Sequence, residues 1–168
     1  MSVTAEKREA VRVDYNFCCG YCGISEISVG NKLDIDHYQP VKFDGTDELD
    51  NLVYVCPGCN RFKGDYWPQE NNPDSYNLLH PNEDKSAHIT LTSNGRLAGV
   101  TPRGRFHIRR LHLNRPQLVA WRQLQQHEVE LNEIINQAEI IQHQLRERIR
   151  ALEQEVAELQ EIIAQLTQ

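Results

Sequence analysis

An α+β fold is predicted for this chain: a small cysteine-stapled body of short helices and strands, followed by a long coiled-coil helix. Three observations predict it. Cys-x-x-Cys pairs stand at Cys19–Cys22 and Cys56–Cys59. Two short runs rich in β-branched and apolar residues, 33–37 and 52–55, lie between the pairs and read as strands. The last 52 residues, Gln117 to Gln168, contain neither Gly nor Pro, which allows about 78 Å of helix at 1.5 Å per residue. The organisation read from this is a body over 1–115 and a helical tail over 116–168.

At 168 residues the chain has room for one compact domain plus an extended element. No apolar run approaches the roughly 18–20 residues that span a bilayer, so no membrane association is expected. The first residues, Met1 to Lys7, lack the apolar core of a secretory signal. A cytoplasmic protein is expected, where thiols stay reduced and metal sites are commoner than disulfides. The net charge of −6 argues at first against a polyanionic partner. Its distribution weakens that objection. Residues 117–168 hold four Arg and nine Glu, whereas residues 1–116 sum to −1. No acid occurs between Lys85 and Gln126, a stretch with seven Arg. A local basic strip on a near-neutral body is compatible with phosphate contacts.

Taken in order, residues 6–15 predict a short helix leading into the first cysteines. The segment from Tyr38 to Asn51, with Pro40, Gly45 and several acids, predicts a surface loop. A short helix is expected over 60–66, stopped before Pro68. Residues 68–82, rich in Pro and Asn, should be irregular. Alternation at Ile89–Thr92 and the Asn94-Gly95 pair predict a hairpin over 88–98. Thr101-Pro102 opens a basic helix to about His112. Asn114 is placed to cap the tail helix, with Pro116 in its first turn.

The two cysteine pairs predict a structural zinc site. A Cys-x-x-Cys turn sets two thiolates about one tetrahedral edge apart, and two such turns make a Cys₄ site from Cys19, Cys22, Cys56 and Cys59. Gly23 permits the tight knuckle. Cys18 is the spare, and a register that uses it as a ligand stays open. A closed Cys₄ site has no position for water or substrate, so its role is structural. Metal binding can supply roughly 10 kcal/mol or more of folding energy to a body with a modest core.

Between and beside the pairs stand Asp36-His37, Asn51-Leu52 and Cys59-Asn60-Arg61-Phe62-Lys63-Gly64. With the knuckles, this order and spacing resemble the HNH (His-Me finger, ββα-metal) nuclease family. The shared pattern is a Cys-x-x-Cys knuckle, Asp-His at a strand end, Asn-Leu opening a second strand, and Cys-x-x-Cys-Asn-x-x-Lys-Gly entering a helix. It runs from Cys19 to about Asp65, with Asn60 in place of the last histidine of the family name. The resemblance implies a metal-dependent endonuclease. His37, with a reference pKa of about 6.5, would take a proton from water. Asp36 and Asn60 offer oxygen ligands for a hard cation, Mg²⁺ or Mn²⁺, that would stabilise phosphoryl charge. Asn51 would orient the His37 loop by hydrogen bonding. Adjacent strand residues face opposite ways, so Asp36 and His37 can serve together only where the strand ends or bulges. Arg61, Lys63, Arg105, Arg109 and Arg110 are candidates for nucleic-acid phosphates. Tyr21, Tyr54, Phe62, Tyr66 and Trp67 read as core or core-edge residues, and nothing in their spacing demands base stacking.

In the tail, Leu124, Leu131, Ala138, Leu145, Leu152, Leu159 and Leu166 recur every seven residues. Trp121, Ile135, Ile149, Val156 and Ile163 fall three before members of that set. Ile/Val at a with Leu at d favours a parallel two-stranded coil, so a homodimer or higher assembly through 117–168 is expected. Ile134, Ile141 and Ile162 widen the stripe at g. A larger bundle, docking on another protein, or folding back onto the body therefore stay open.

The sequence thus predicts an HNH endonuclease acting on DNA before RNA, the nuclease component of a bacterial antiphage, restriction or mobile-element system. Such a system could add a protein partner, for example an ATPase. The alternative is a non-catalytic zinc-stapled nucleic-acid-binding or adaptor module that assembles through its coil.

Overall fold

A computed structural model describes residues 3–69, 73 and 76–166. The chain divides into two compact units, the first ending at Gln123 and the second beginning at Leu124.

The first unit is built on a ββα succession. Strands β1 (Asp34–His37) and β2 (Leu52–Val55) pair antiparallel, with Asp34 opposite Val55 and His37 opposite Leu52. All four β2 residues are buried. Neighbouring strand residues face opposite sides, so both faces of this strand are covered. With Leu79, Leu111, Leu113 and Leu118 these side chains form the core. Truncating one of them, for instance Leu111→Ala, costs roughly 2–5 kcal/mol.

Helix α1 (Ala5–Asp14) starts where Thr4 accepts a bond from the Lys7 amide. A short helix α2 (Glu26–Val29) follows, capped by Ser25 and ended by Gly30 at φ 76°. The sequence reading did not mark it, although Ser and Gly flank it in the usual capping order. Glu26 accepts from both Arg12 and the Tyr54 hydroxyl, tying α1, α2 and β2 together. These donors, Arg12 first, hold the Glu26 carboxyl down to about 2.

Helix α3 spans Pro57–Lys63, not 60–66. It begins inside the second cysteine pair because Cys56 Sγ accepts from the Cys59 amide as an N-cap and Pro57 suits the first helical position. Gly64, at φ 51°, ends it.

The hairpin forms as β3 (Ile89–Leu91) and β4 (Leu97–Gly99), turning through Gly95 at φ 74°. Helix α4 (Pro102–Arg110) is capped by Thr101 and packs on β4. Asn114 does not cap the last helix. Its side chain accepts from the Leu97 amide and donates to the Leu97 carbonyl, pinning the hairpin.

Helix α5 runs Pro116–Leu166. Its first part belongs to the first unit, where Leu118 and Arg122 are buried. In the second unit the heptad positions Leu131, Leu145, Ile149, Leu152, Val156 and Leu159 are all exposed. Among the described residues, no helix is long and apolar enough to cross a membrane.

Candidate functional site

Two polar centres flank the β1–β2 pair. The first is the cysteine cluster. The knuckle after α1 delivers Cys19 and Cys22, and the end of β2 delivers Cys56 and Cys59. Their sulfur atoms all lie within 4.8 Å of one another, with Cys22 Sγ 3.7 Å from Cys56 Sγ. Tetrahedral zinc with Zn–S near 2.3 Å needs a sulfur–sulfur edge of about 3.8 Å. The four thiols therefore have the geometry and chemistry of a structural zinc site. Cys18 lies outside this cluster, and its backbone bridges to Ser25 instead.

Four thiolates around a divalent ion leave net negative charge, and two cations meet it. The Arg115 guanidinium lies 3.6 Å from Cys56 Sγ and 3.6–3.7 Å from Cys59 Sγ. Gly58 makes this approach possible, since a Cβ there would stand 2.9 Å from Arg115 Nη2. On the other knuckle, Lys85 Nζ donates to the Gly20 carbonyl.

The second centre lies at the end of β1. His37 is the last strand residue, paired with Leu52, and Asp36 precedes it, paired with Val53. His37 Nε2 lies 2.7 Å from Asp47 Oδ1. Asp47 is held below the usual carboxylate range by this bond, and an ionised carboxylate only accepts, so His37 Nε2 donates to it. Asn51 fixes the loop that brings Asp47 there. Its side chain accepts from the Gln39 amide and donates to the carbonyls of Gln39 and Thr46.

Asp36 meets Lys63, with Oδ2 2.9 Å from Nζ. Lys63 is fully buried and also donates to the His37 carbonyl at 2.6 Å. Burial raises the Asp36 pKa, against the pull of Lys63. Asn60, on α3, donates through Nδ2 to Asp34 Oδ2 at 3.3 Å. Asp34 and Asp36 are two residues apart on one strand and share a face.

The five expected phosphate contacts divide. Arg61, Arg105 and Arg109 are exposed. Lys63 faces inward, and Arg110 donates to the Phe62 and Lys63 carbonyls at the end of α3 with its guanidinium over the Tyr66 ring. Four residues at the two centres were not singled out from the sequence: Asp47, Asp34, Lys85 and Arg115. Asp34 carried a signal, since Asp-Ile-Asp-His repeats the carboxylate at a spacing that shares a face.

Residues 19–66 match the model of the HNH endonuclease family. The matched segment holds both knuckles, both strands and α3, and covers under a third of the chain. The first unit therefore carries an HNH domain, a class whose members are usually nucleases. Neither the curated proteins nor the solved structures give a significant match.

Proposed function

We propose that this protein is a metal-dependent endonuclease that hydrolyses phosphodiester bonds in DNA. The observation that carries the reading is the His37–Asp47 pair at 2.7 Å at the end of β1, with Asp36 next to it and Asn60 bonded to Asp34 on the same strand. In this reading Asp47 holds the imidazole with Nε2 protonated. His37 Nδ1 then takes the proton of the attacking water. Asp36 and Asn60 would hold Mg²⁺ or Mn²⁺. Asn60 donates its Nδ2 to Asp34, which leaves Oδ1 as a ligand atom, and Lys63 meets only one oxygen of Asp36. When bound, such an ion neutralises charge on the phosphoryl and leaving oxygens. Arg61, Arg105 and Arg109 contact the nucleic-acid backbone. Zinc on the four cysteines keeps β2 and α3 in place and does no chemistry.

The exposed heptad stripe of α5 supports self-assembly. Apolar residues at a and d favour a parallel coil, and Arg148 at g meets Glu153 at e of a second copy. A role in an antiphage, restriction or mobile-element system, with a further protein partner such as an ATPase, fits a small nuclease with an assembly tail. Mass measurement of the full chain should then give a dimer or higher species, and a full-length monomer at micromolar concentration would defeat this part.

The deciding experiment is nicking of supercoiled plasmid by zinc-loaded protein, with and without added Mg²⁺. Wild type should nick only with the ion, and His37→Ala should not nick while keeping its zinc. Equal nicking by His37→Ala would overturn the mechanism.

A further inference from the structure

Beside the end of β1 lies a cavity of about 140 Å³ walled by Tyr38, Tyr66, Trp67 and Pro68, with Asn77 and Arg103 on its polar side. Drug-sized ligands occupy pockets of roughly 300–1,000 Å³, so this one suits a single flat ring system. Its walls are aromatic and fixed. Tyr38 and Trp67 meet edge to face at 5.6 Å, and the Tyr38 hydroxyl is anchored on the Leu78 carbonyl at 2.6 Å. The Tyr66 hydroxyl donates to the Tyr76 carbonyl. With the hydroxyls engaged elsewhere, the rings present their apolar bodies to the cavity. Arg103 is tied to Glu83 and to the carbonyls of Asn77 and Leu78, so it braces the wall. Trp67 remains half-buried, open to an incoming ring.

The position decides what that ring is. Tyr38 follows His37 directly, so the cavity wall and the proposed base are consecutive residues. A nucleic acid whose scissile phosphate lies at His37 would carry its neighbouring nucleotide past this opening. We propose that the cavity takes one unpaired nucleobase flanking the cut, stacked on Trp67 and edged by the Asn77 carboxamide. This rests on the nuclease reading and deepens it: the substrate is single-stranded, or a duplex with one nucleotide extruded. Stacking accepts any base, because every base has a π-face, so little sequence preference follows.

The test has two arms. In the first, His37→Ala with Trp121→Phe leaves Trp67 as the sole tryptophan in a chain that does not cut. A single-stranded 12-nucleotide DNA is titrated beside an abasic strand of equal length, with binding followed by anisotropy. The base-bearing strand should quench Trp67 and the abasic strand should bind without quenching. In the second arm, Trp67→Ala should lower kcat/KM on the base-bearing strand about tenfold. On a strand abasic beside the cut it should match wild type. Equal quenching by both strands, or none, overturns the proposal, as does undiminished cutting by Trp67→Ala. Wild type that nicks supercoiled plasmid but cuts neither strand overturns the proposal and leaves the nuclease reading standing; wild type that cuts neither plasmid nor strand sinks that reading, and base-dependent quenching alone then supports or sinks the pocket.

Discussion

The cysteine cluster and the His37 edge share the β1–β2 pair but differ in every physical respect. The cluster is mostly buried, uses four soft sulfur donors, and is met by Arg115 and Lys85. The edge is half-exposed, uses oxygen and nitrogen donors, and ends a strand. A closed Cys₄ set has no room for substrate, whereas a half-open set of hard donors does. One small domain thus holds a closed set of soft donors apart from a half-open set of hard ones. Substitutions at one centre should therefore leave the other's readout intact, except where a residue is structural to both.

Loss of a cysteine ligand should do the most damage. Cys56→Ser removes a thiolate ligand while leaving a hydroxyl that can still cap α3, so the loss it shows is that of the metal. Zinc-linked folding energy of roughly 10 kcal/mol is at stake. The variant should lose zinc by elemental analysis and lose its cooperative thermal transition. A folded, zinc-free Cys56→Ser protein would remove the structural role from the cluster.

Lys63 is where the two centres meet, since it is buried on α3 and paired with Asp36. Removing one partner of a buried ion pair leaves the other charge uncompensated, at a cost of roughly 3–5 kcal/mol. Lys63→Ala should show this loss in urea denaturation. Asp36→Asn with Lys63→Met should regain part of it, because no lone charge remains. If the double variant is no better than Lys63→Ala, the pair is not the source of the cost.

On the staple side, His107 lies buried with its ring 6.2 Å from that of Tyr21 in the first knuckle. Its Nδ1 accepts from the Leu79 amide. Burial pushes its pKa down to about 3, from about 6.5 in an unfolded chain. Between those values the unfolded chain binds the extra proton, so stability falls as pH is lowered from 6.5 toward 3. The slope from this group approaches about 1.4 kcal/mol per pH unit. His107→Gln, which keeps an acceptor for Leu79, should flatten denaturation midpoints across that range. An unchanged slope would assign acid sensitivity elsewhere.

What could be read in the sequence divides along the same line. The cluster was legible because a Cys-x-x-Cys turn fixes its own geometry locally, and the structure brings all four sulfurs together. Both strands were legible from short β-branched runs. The start of α3 was not, because a cysteine served as its cap, a role that Ser, Thr, Asp and Asn usually fill. Asn114 was misread since its hydrogen bonds cross to Leu97, a partner no local pattern names. The same reason hid Asp47. It is one of four acids between Tyr38 and Asn51, and only the loop's closure by Asn51 selects it. Lys63 looked like a surface cation in a basic segment until packing placed Asp36 beside it.

The mildest variants are at residues that touch one centre without belonging to it. Arg115 touches two of the sulfurs, and Asp47 touches the proposed base. Outer partners of this kind commonly change metal affinity or activity by 10–100-fold. Arg115→Ala should speed zinc transfer to a chromophoric chelator about tenfold, because uncompensated negative charge is left on the thiolates. Its plasmid-nicking rate per zinc-loaded molecule should stay at the wild-type level. Asp47→Ala should do the reverse. Zinc release should be unchanged, while kcat falls about tenfold with little change in KM, since the imidazole loses its orienting acceptor but binding contacts remain. Asp47→Glu, which restores a carboxylate on a longer arm, should recover part of kcat, and a merely structural role for Asp47 would show no such recovery. If Arg115→Ala slowed nicking by zinc-loaded protein as much as Asp47→Ala does, the two centres would be one coupled unit, and the separation drawn between them would be wrong.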